Sequence, residues 1–405
     1  MSRITRLCAD WRTYLASRKE ARDPDTWVFG EWFGKRCGDS CAYFANYAAS
    51  RDEKLRLYWI REPGTDTGML DPRIQLLDRG SPEAEETLRR AGAIFLNQTF
   101  EDVAAEPNNR YGSAVTLNFW HGFPWKRIGH DGDKRSGSAV FRLYCRLLDP
   151  VMEARYFLTV SDIYSEKLRT AFGVKEEGRL VRAGYPRNAG FYDPAFIARS
   201  RGAVEEAIRK ARGGLRAEGL KIIAYMPTFR DAGDGAADLS IQLADFGEYL
   251  EGRNAVIIQK VHFAEPGGSA AGTANVADKA ANILEMPGLN AAVLMAAADV
   301  LISDYSSCVF DDLLLDRPII QYVWDYERYR DRDRGVYFPL EEVRCGRAAR
   351  DIPELKDAIR EALENPGAGS ALRKARREKL MAYESADSME KIFCFVKEKA
   401  GKLKA

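Results

Sequence analysis

The sequence predicts two doubly wound α/β domains, each built on a mostly parallel sheet. Three observations carry that expectation. Short apolar runs alternate with helical stretches along nearly the whole chain. The runs stop at Gly, Pro, His, Asp or Ser, with short connections between them. The pattern then begins afresh near residue 185, and 405 residues is a length for two or three domains. The expected division is residues 1–185 and 186–385, with residues 386–405 a basic C-terminal helix placed to pack back on the first domain.

In chain order, Ile4, Leu7, Trp11 and Leu15 recur at helical spacing among Arg3, Arg6, Arg12, Arg18 and Lys19. Two readings stand: a terminal helix packed on the body, or a basic amphipathic helix on an anionic membrane surface. Residues 26–30 read as a strand leading into Glu31-Trp-Phe-Gly-Lys35, then a helix over 39–50. Strands follow at 54–61, 74–77 and 93–97, with a helix over 82–91. A buried strand at 114–119 ends in His121-Gly122, where glycine permits a sharp exit and Pro124 blocks an immediate helix. A helix over 138–154 and a strand at 156–161 close the first set.

The second set has strands at 180–184, 221–226, 255–261, 300–303 and 318–323, with a basic helix over 192–217 broken at Gly213-Gly214. Its strands end in Gly184-Tyr-Pro-Arg-Asn188, Pro227-Thr-Phe-Arg-Asp231, His262 and Asp304-Tyr-Ser-Ser307. Loops at strand ends are where an open α/β sheet takes its ligand. From about Ile352 the chain reads as helical and basic.

Composition narrows the function. Lys plus Arg (61) balances Asp plus Glu (60), so no global field calls for nucleic acid, and anion binding must come from local clusters. Seven scattered cysteines read as reduced cytosolic thiols, and Cys37 and Cys41 lack the second pair of a metal site. No signal peptide is visible, and no apolar run approaches the ~20 residues of a membrane span. The expectation is a cytoplasmic protein, soluble or peripheral on the inner membrane face.

The chain has three histidines, His121, His130 and His262. His121 and His262 stand at predicted strand ends in different halves, which favours chemistry over a core role; His130 reads equally well as an exposed loop residue. Ser306 and Ser307 at a helix start could cradle a phosphate or simply cap the helix. Asp304 reads as orienting that loop, because a carboxylate repels phosphate. Arg230 is a bidentate donor suited to phosphate oxygens, with a salt bridge to Asp231 as the plainer role. Arg187 and Asn188 carry the same ambiguity, and Arg334-Gly335 could close over a ligand. Walker, dinucleotide-binding and nucleophile-elbow motifs are absent, which argues against P-loop kinases, dehydrogenases and α/β-hydrolases.

Taken together, Trp120-His-Gly-Phe-Pro-Trp-Lys-Arg-Ile-Gly129 resembles the Trp-His-Gly-Thr-Pro-x-Lys-x-x-Gly motif of the CDP-glycerol glycerophosphotransferases, the teichoic-acid primases and polymerases. Phe33-Gly-Lys35, Gly184–Asn188, Tyr225–Asp231, Leu301–Ser307 with Asp316-Arg-Pro318, and Arg334-Gly-Val-Tyr-Phe338 fit the same family in the same order. The resemblance implies a GT-B fold with an interdomain cleft, an acceptor-side first domain and a second domain binding the CDP donor. It implies attack by an acceptor hydroxyl on the donor's β-phosphorus, with CMP leaving, no cofactor and no required metal. The donor would be CDP-glycerol or CDP-ribitol, and the acceptor a lipid-linked or glycan hydroxyl, in teichoic-acid-like or capsule synthesis. By position, His121 would be the general base or transition-state stabiliser and His262 would sit near the pyrophosphate. Arg230, Ser306 and Ser307 match donor-phosphate positions, supported by Gly122, Lys126, Arg187, Asn188, Thr228, Asp304 and Arg334.

Departures from the pattern are Phe123 for the usual Thr, Trp125 for the usual apolar residue after Pro, and Phe263 after the second histidine, where the family often has Pro. They bear on the acceptor and the donor polyol. The extra N-terminal region of long-chain polymerases is missing from the resemblance, so a primase-like enzyme or catalytic module is expected. A nucleotide-sugar glycosyltransferase on the same fold and a non-catalytic nucleotide- or glycan-binding scaffold are the alternatives.

Overall fold

Seven described strands make one parallel sheet and six make another. The computed structural model describes residues 3–403 other than 107, 134–137, 212–217, 229–245, 261–281, 287 and 333–334. It divides into two units, Met1–Gly122 with Ile128–Ala189 and Ala382–Ala405, and Phe123–Arg127 with Gly190–Met381. The doubly wound, two-domain expectation is therefore borne out.

The first sheet comprises β1 (Asp23–Phe29), β2 (Arg56–Arg61), β3 (Gln75–Asp78), β4 (Ala91–Leu96), β5 (Val115–Asn118), β6 (Tyr156–Thr159) and β7 (Leu180–Arg182), in the order β3-β2-β1-β4-β5-β6-β7. Every residue of β4 is buried, which a strand tolerates only when both faces are covered. The helices of this unit are α1 (Arg3–Ser17), α2 (Ser40–Arg51), α3 (Pro82–Arg90), α4 (Ala139–Met152) and α5 (Asp162–Ala171). Small residues on α2 (Ala42, Ala45, Ala48, Ala49) are buried and let its Phe44 ring reach Phe29, Phe95 and Phe119. Phe29 and Phe95 stack with centroids 4.5 Å apart, so the apolar residues that write the strand pattern also weld β1 to β4.

The chain returns to this unit at its end. Helix Ser388–Ala400 buries Ile392 and Val396 and lays Phe393 against Trp27, ring centroids 5.5 Å apart. Just before it, Glu384 Oε1 accepts from Tyr185 N (2.9 Å) and Asn188 Nδ2 (2.9 Å), while Ser388 Oγ accepts from Gly184 N (2.9 Å). A Cβ at Gly184 would lie 2.1 Å from Glu384 Oε2, so the glycine is what admits this clasp.

The second sheet comprises β8 (Lys221–Met226), β9 (Ala255–Gln259), β10 (Ile283–Glu285), β11 (Val300–Ser303), β12 (Ile319–Tyr322) and β13 (Arg347–Ala349), in the order β10-β9-β8-β11-β12-β13. Strands β10 and β13 have no counterpart in the sequence reading. Each is three residues long, and Arg-Ala-Ala in β13 has no apolar run to announce it. Helix α6 covers Pro194–Ala211, and the Gly213-Gly214 break lies outside the described residues. The basic stretch near 373–379 is partly structural. Arg373 is buried and donates to Asp316 Oδ1 (2.9 Å), and Arg376 donates to the Glu341 and Arg344 carbonyls.

Candidate active site

In both sheets the strand order reverses beside the first strand, between β1 and β4 and between β8 and β11. A doubly wound sheet opens a crevice outside the carboxyl ends of those strands. In the first unit that region holds Glu31, Asn97 and, one strand on, His121.

Gly30 makes the arrangement possible. A Cβ there would stand 2.3 Å from the Asp102 carbonyl oxygen, so only glycine lets the turn after β1 lie on the turn after β4. Asp102 then ties the two together, accepting from Phe33 N (2.9 Å), Asn97 N (2.8 Å) and Gln98 N (2.7 Å). Burial pushes its carboxyl up to about 6, although those backbone donors pull the other way.

Glu31 and Asp39 form a buried acidic pair with unequal charge. Glu31 Oε1 accepts from Gly38 N and Asp39 N, yet burial, then the nearby Asp39, drive its carboxyl well above the ordinary range. Burial also works against an ionised Asp39, but the Arg187 guanidinium, 2.9 Å from Oδ1, together with the hydrogen bonds from Ser40 N and Asn97, holds Asp39 below its ordinary value. Asp39 Oδ2 accepts from Asn97 Nδ2 (3.1 Å) and Trp32 Nε1 (3.2 Å). Two carboxyls this close share their protons unequally, and the guanidinium decides which stays charged.

His121 follows β5 by a strained step. Asn118, buried, donates from Nδ2 to Gln98 O (2.7 Å), and its Oδ1 accepts from Trp120 N (2.8 Å). Trp120 has φ 56°, and Trp32 and Phe33 have φ 51° and 59°. Such values are costly for a bulky residue and collect at functional positions. Among the described residues only Asn254 and Asp316 are other non-glycine cases, so two of the five pack on His121 and a third, Phe33, adjoins Trp32. The half-buried imidazole lies between two indoles, its centroid 4.4 Å from Trp120 and 5.3 Å from Trp32.

In the second unit, Asp304 after β11 accepts at Oδ1 from Thr228 N (2.8 Å), Thr228 Oγ1 (2.5 Å) and Tyr305 N (2.6 Å), joining the two strand ends at the reversal. Ser306 Oγ accepts from Cys308 N at 3.4 Å, and Ser307 precedes a helix of only four residues, Cys308–Asp311. Phe123–Arg127 belongs to this unit, so the tryptophan-histidine-glycine motif is split after Gly122. Phe123 and Trp125, two of the three departures from the family pattern, are buried: Phe123 packs on Phe310 (4.8 Å between centroids), and Trp125 Nε1 donates to Phe338 O (2.8 Å); the third, Phe263, lies outside the described residues. Lys126 Nζ stands 5.1 Å over the Tyr329 ring.

Of the residues picked from sequence, His121, Gly122, Arg187 and Asn188 fall in the first unit, and Lys126, Thr228, Asp304, Ser306 and Ser307 in the second. Arg230, His262 and Arg334 lie outside the described residues. Sequence reasoning missed Glu31, Trp32, Asp39, Asn97, Asp102 and Asn118 as a connected set. The available signal was Gly30-Glu31, an acidic residue directly past the end of an apolar strand.

Two doubly wound parallel sheets with this shared strand order define a two-domain, GT-B-like α/β protein. In shape it matches the wall teichoic acid polymerase TagF, with a TM-score of 0.76 at 20% identity over 97% of this chain and 93% of that one. Residues 13–398 match the model of the CDP-glycerol:poly(glycerophosphate) glycerophosphotransferase family, and the chain belongs to that family. It is 24% identical over 358 residues to the teichoic acid poly(glycerol phosphate) polymerase of Bacillus subtilis strain 168, covering 86% of this chain but 45% of that protein. Against the teichoic acid glycerol-phosphate transferase of Staphylococcus aureus strain NCTC 8325 it is 22% identical over 372 residues, 90% of both chains. The chain thus spans less than half the length of the Bacillus polymerase and nearly all of the staphylococcal transferase.

Proposed function

We propose that the chain transfers a polyol phosphate, glycerol phosphate first of all, from a CDP-polyol to an acceptor hydroxyl, releasing CMP. The observation that carries this reading is His121. In a chain of this family, an imidazole is set between two indoles at a strand end by backbone that few sequences would tolerate. The acceptor oxygen attacks the β-phosphorus, the new O–P bond forms as the bridge to the CMP phosphate breaks, and His121 takes the hydroxyl proton. His262, Arg230, Ser306 and Ser307 are assigned to the donor phosphates by their place in the family motifs, with Thr228 and Asp304 shaping the loop beside the serines. The first unit is read as the acceptor side and the second as the donor side.

The test is nucleotide release in the presence of a polyol-phosphate-primed lipid or glycan acceptor, CMP from CDP-glycerol or CDP-ribitol and UDP from a UDP-sugar, with and without chelator. CDP-glycerol turnover that survives chelation and falls ~10²–10⁴-fold in His121→Ala is expected. Turnover of the UDP-sugar alone would make the protein a glycosyltransferase, and no release from any donor would leave the scaffold reading.

A peripheral place on an anionic membrane face is part of the proposal, for an acceptor carried on lipid. No described helix is long and apolar enough to cross a membrane. Supporting the surface reading, Val140, Leu143, Tyr144 and Leu147 are exposed at i, i+3, i+4 and i+7 of α4, and Leu15 of the adjoining α1 is exposed as well. Trp11 of α1 donates to the Leu147 carbonyl (3.0 Å), so the terminal helix is packed on the body and still adds to that face. Val140→Ser with Leu143→Ser and Leu147→Ser should weaken co-sedimentation with phosphatidylglycerol vesicles; unchanged pelleting rejects the surface.

A further inference from the structure

We infer that Asp39, paired with Arg187, is a positioning residue for His121 and acts through the indole of Trp32. The inference deepens the reading above, since it matters for turnover only if His121 does. Asp39 Oδ2 accepts the indole N–H of Trp32 at 3.2 Å, and that indole forms one wall of the histidine, 5.3 Å between centroids and tilted by 50°. Trp32 needs the restraint. At φ 51° its backbone sits in a region an aromatic side chain avoids, so without outside bonds both backbone and ring would relax.

Asp39 itself is held on every side. It accepts from Ser40 N (2.7 Å) at the start of α2, from Asn97 Nδ2 (3.1 Å) at the end of β4, and from Arg187 Nη1 (2.9 Å). Its own N–H goes to Glu31 Oε1 at 2.8 Å. Arg187 is fixed by the Gly184–Asn188 segment, which Glu384 and Ser388 clasp. A continuous run of bonded groups therefore leads from the C-terminal segment, through Arg187 and Asp39, to the indole beside His121.

The charge state suits the task. With the guanidinium beside it Asp39 keeps its negative charge, while Glu31 is pushed toward the neutral acid. A carboxylate is a stronger acceptor for the indole N–H than a neutral acid. An indole whose N–H is held this way also offers a more electron-rich face to an imidazole taking up a proton.

Trp32→Phe keeps an aromatic ring but deletes the indole N–H together with the five-membered ring that bears it; Asp39→Asn keeps size and deletes the charge. Each should lower kcat for CMP release from CDP-glycerol by roughly ten- to a hundredfold, the scale for a catalytic group misplaced by about 1 Å, with KM for CDP-glycerol little changed. The double variant should be no slower than the slower of the two single variants, because both changes cut one link. In ¹H–¹⁵N spectra of the three imidazoles, the His121 resonances should move in both variants and those of His130, bonded to Asp149, should stay. Trp32→Phe with wild-type kcat and unmoved His121 resonances overturns the inference, even if Asp39→Asn fails to fold. Full activity in His121→Ala would sink the catalytic assignment instead, and the imidazole spectra would still decide whether Asp39 positions the ring.

Discussion

Replacing Arg187 with Met keeps most of the side-chain volume and removes the charge from a pair that is nearly closed to water. The guanidinium is 9% exposed and the Asp39 side chain 14%, with 2.9 Å between them. Taking one partner from a buried pair leaves an uncompensated charge and costs about 3–5 kcal/mol. Protonation sets the ceiling, because once ionisation is dearer than taking up a proton, Asp39 becomes neutral as Glu31 does. Arg187 also lies 4.6 Å over the Tyr185 ring, a contact worth about 0.5–1 kcal/mol. An overall loss near ~3–4 kcal/mol at pH 7 is expected for Arg187→Met. Asp39→Asn in the same chain should restore about 1–2 kcal/mol of it, since no buried charge then remains. The sign with pH is specific. In the wild type Asp39 is depressed, so the pair's contribution is present above the unfolded carboxylate value and lost only as pH falls through the lower folded one. In the variant burial is no longer opposed by the guanidinium, only by the remaining hydrogen bonds, so Asp39 rises and the gap to wild type should narrow from pH 7 to pH 5. Urea unfolding followed by tryptophan fluorescence measures this, with Trp27, Trp32 and Trp59 buried or half-buried in the unit concerned. A loss under 1 kcal/mol, or a gap that does not narrow on acidification, refutes the reasoning.

Gly30→Ala should destabilise the first unit by about 1–3 kcal/mol or more, because the new methyl would meet the Asp102 carbonyl at 2.3 Å and Val103 Cγ1 at 2.6 Å; a wild-type melting temperature rejects this. Asp316 sits at φ 43° and accepts from Arg373 Nε (2.9 Å), so Asp316→Ala should cost about 2–4 kcal/mol by adding strain and leaving the buried guanidinium without its carboxylate, with only the Ala368 and residue-316 carbonyls to accept from it. Asp316→Asn should cost less, as asparagine tolerates that backbone, and equal losses would count against it. His130 Nε2 lies 2.7 Å from Asp149, and that hydrogen bond raises the imidazole above its ordinary value despite partial burial. The stability it lends is therefore full below about pH 6.5 and lost as pH rises through the higher folded value. An NMR titration placing His130 at or below the ordinary value, or unmoved by Asp149→Asn, refutes the pairing.

The strands were legible because burial on both faces demands runs such as Ala255-Val-Ile-Ile-Gln259, which local composition displays directly. Strand β13 was not, since its three residues join the sheet by backbone bonds to β12 rather than by apolar side chains. His121 could be picked from its strand-end position and its motif. Its surroundings could not, because Glu31 and Asp39, Asn97, and Arg187 come from three separated stretches and none alone departs from ordinary loop chemistry. Arg187 was visible as a cation but not as the partner of Asp39, 148 residues away. Phe123 and Trp125 were visible as departures from the family motif but not as packed side chains of the second unit.

By itself, the sequence determined the two-set alternation of strand and helix, the strand ends that carry polar residues and the family those motifs belong to. Each of these is written in short-range patterns that burial and turn chemistry impose on neighbouring residues. Only the tertiary structure decided which carboxyl keeps its charge, which cation neutralises it, and how left-handed backbone at Trp32 and Trp120 is held around the imidazole. Those outcomes depend on distances between groups far apart in the chain, and electrostatics and strain act through space, where a linear pattern carries no record of them.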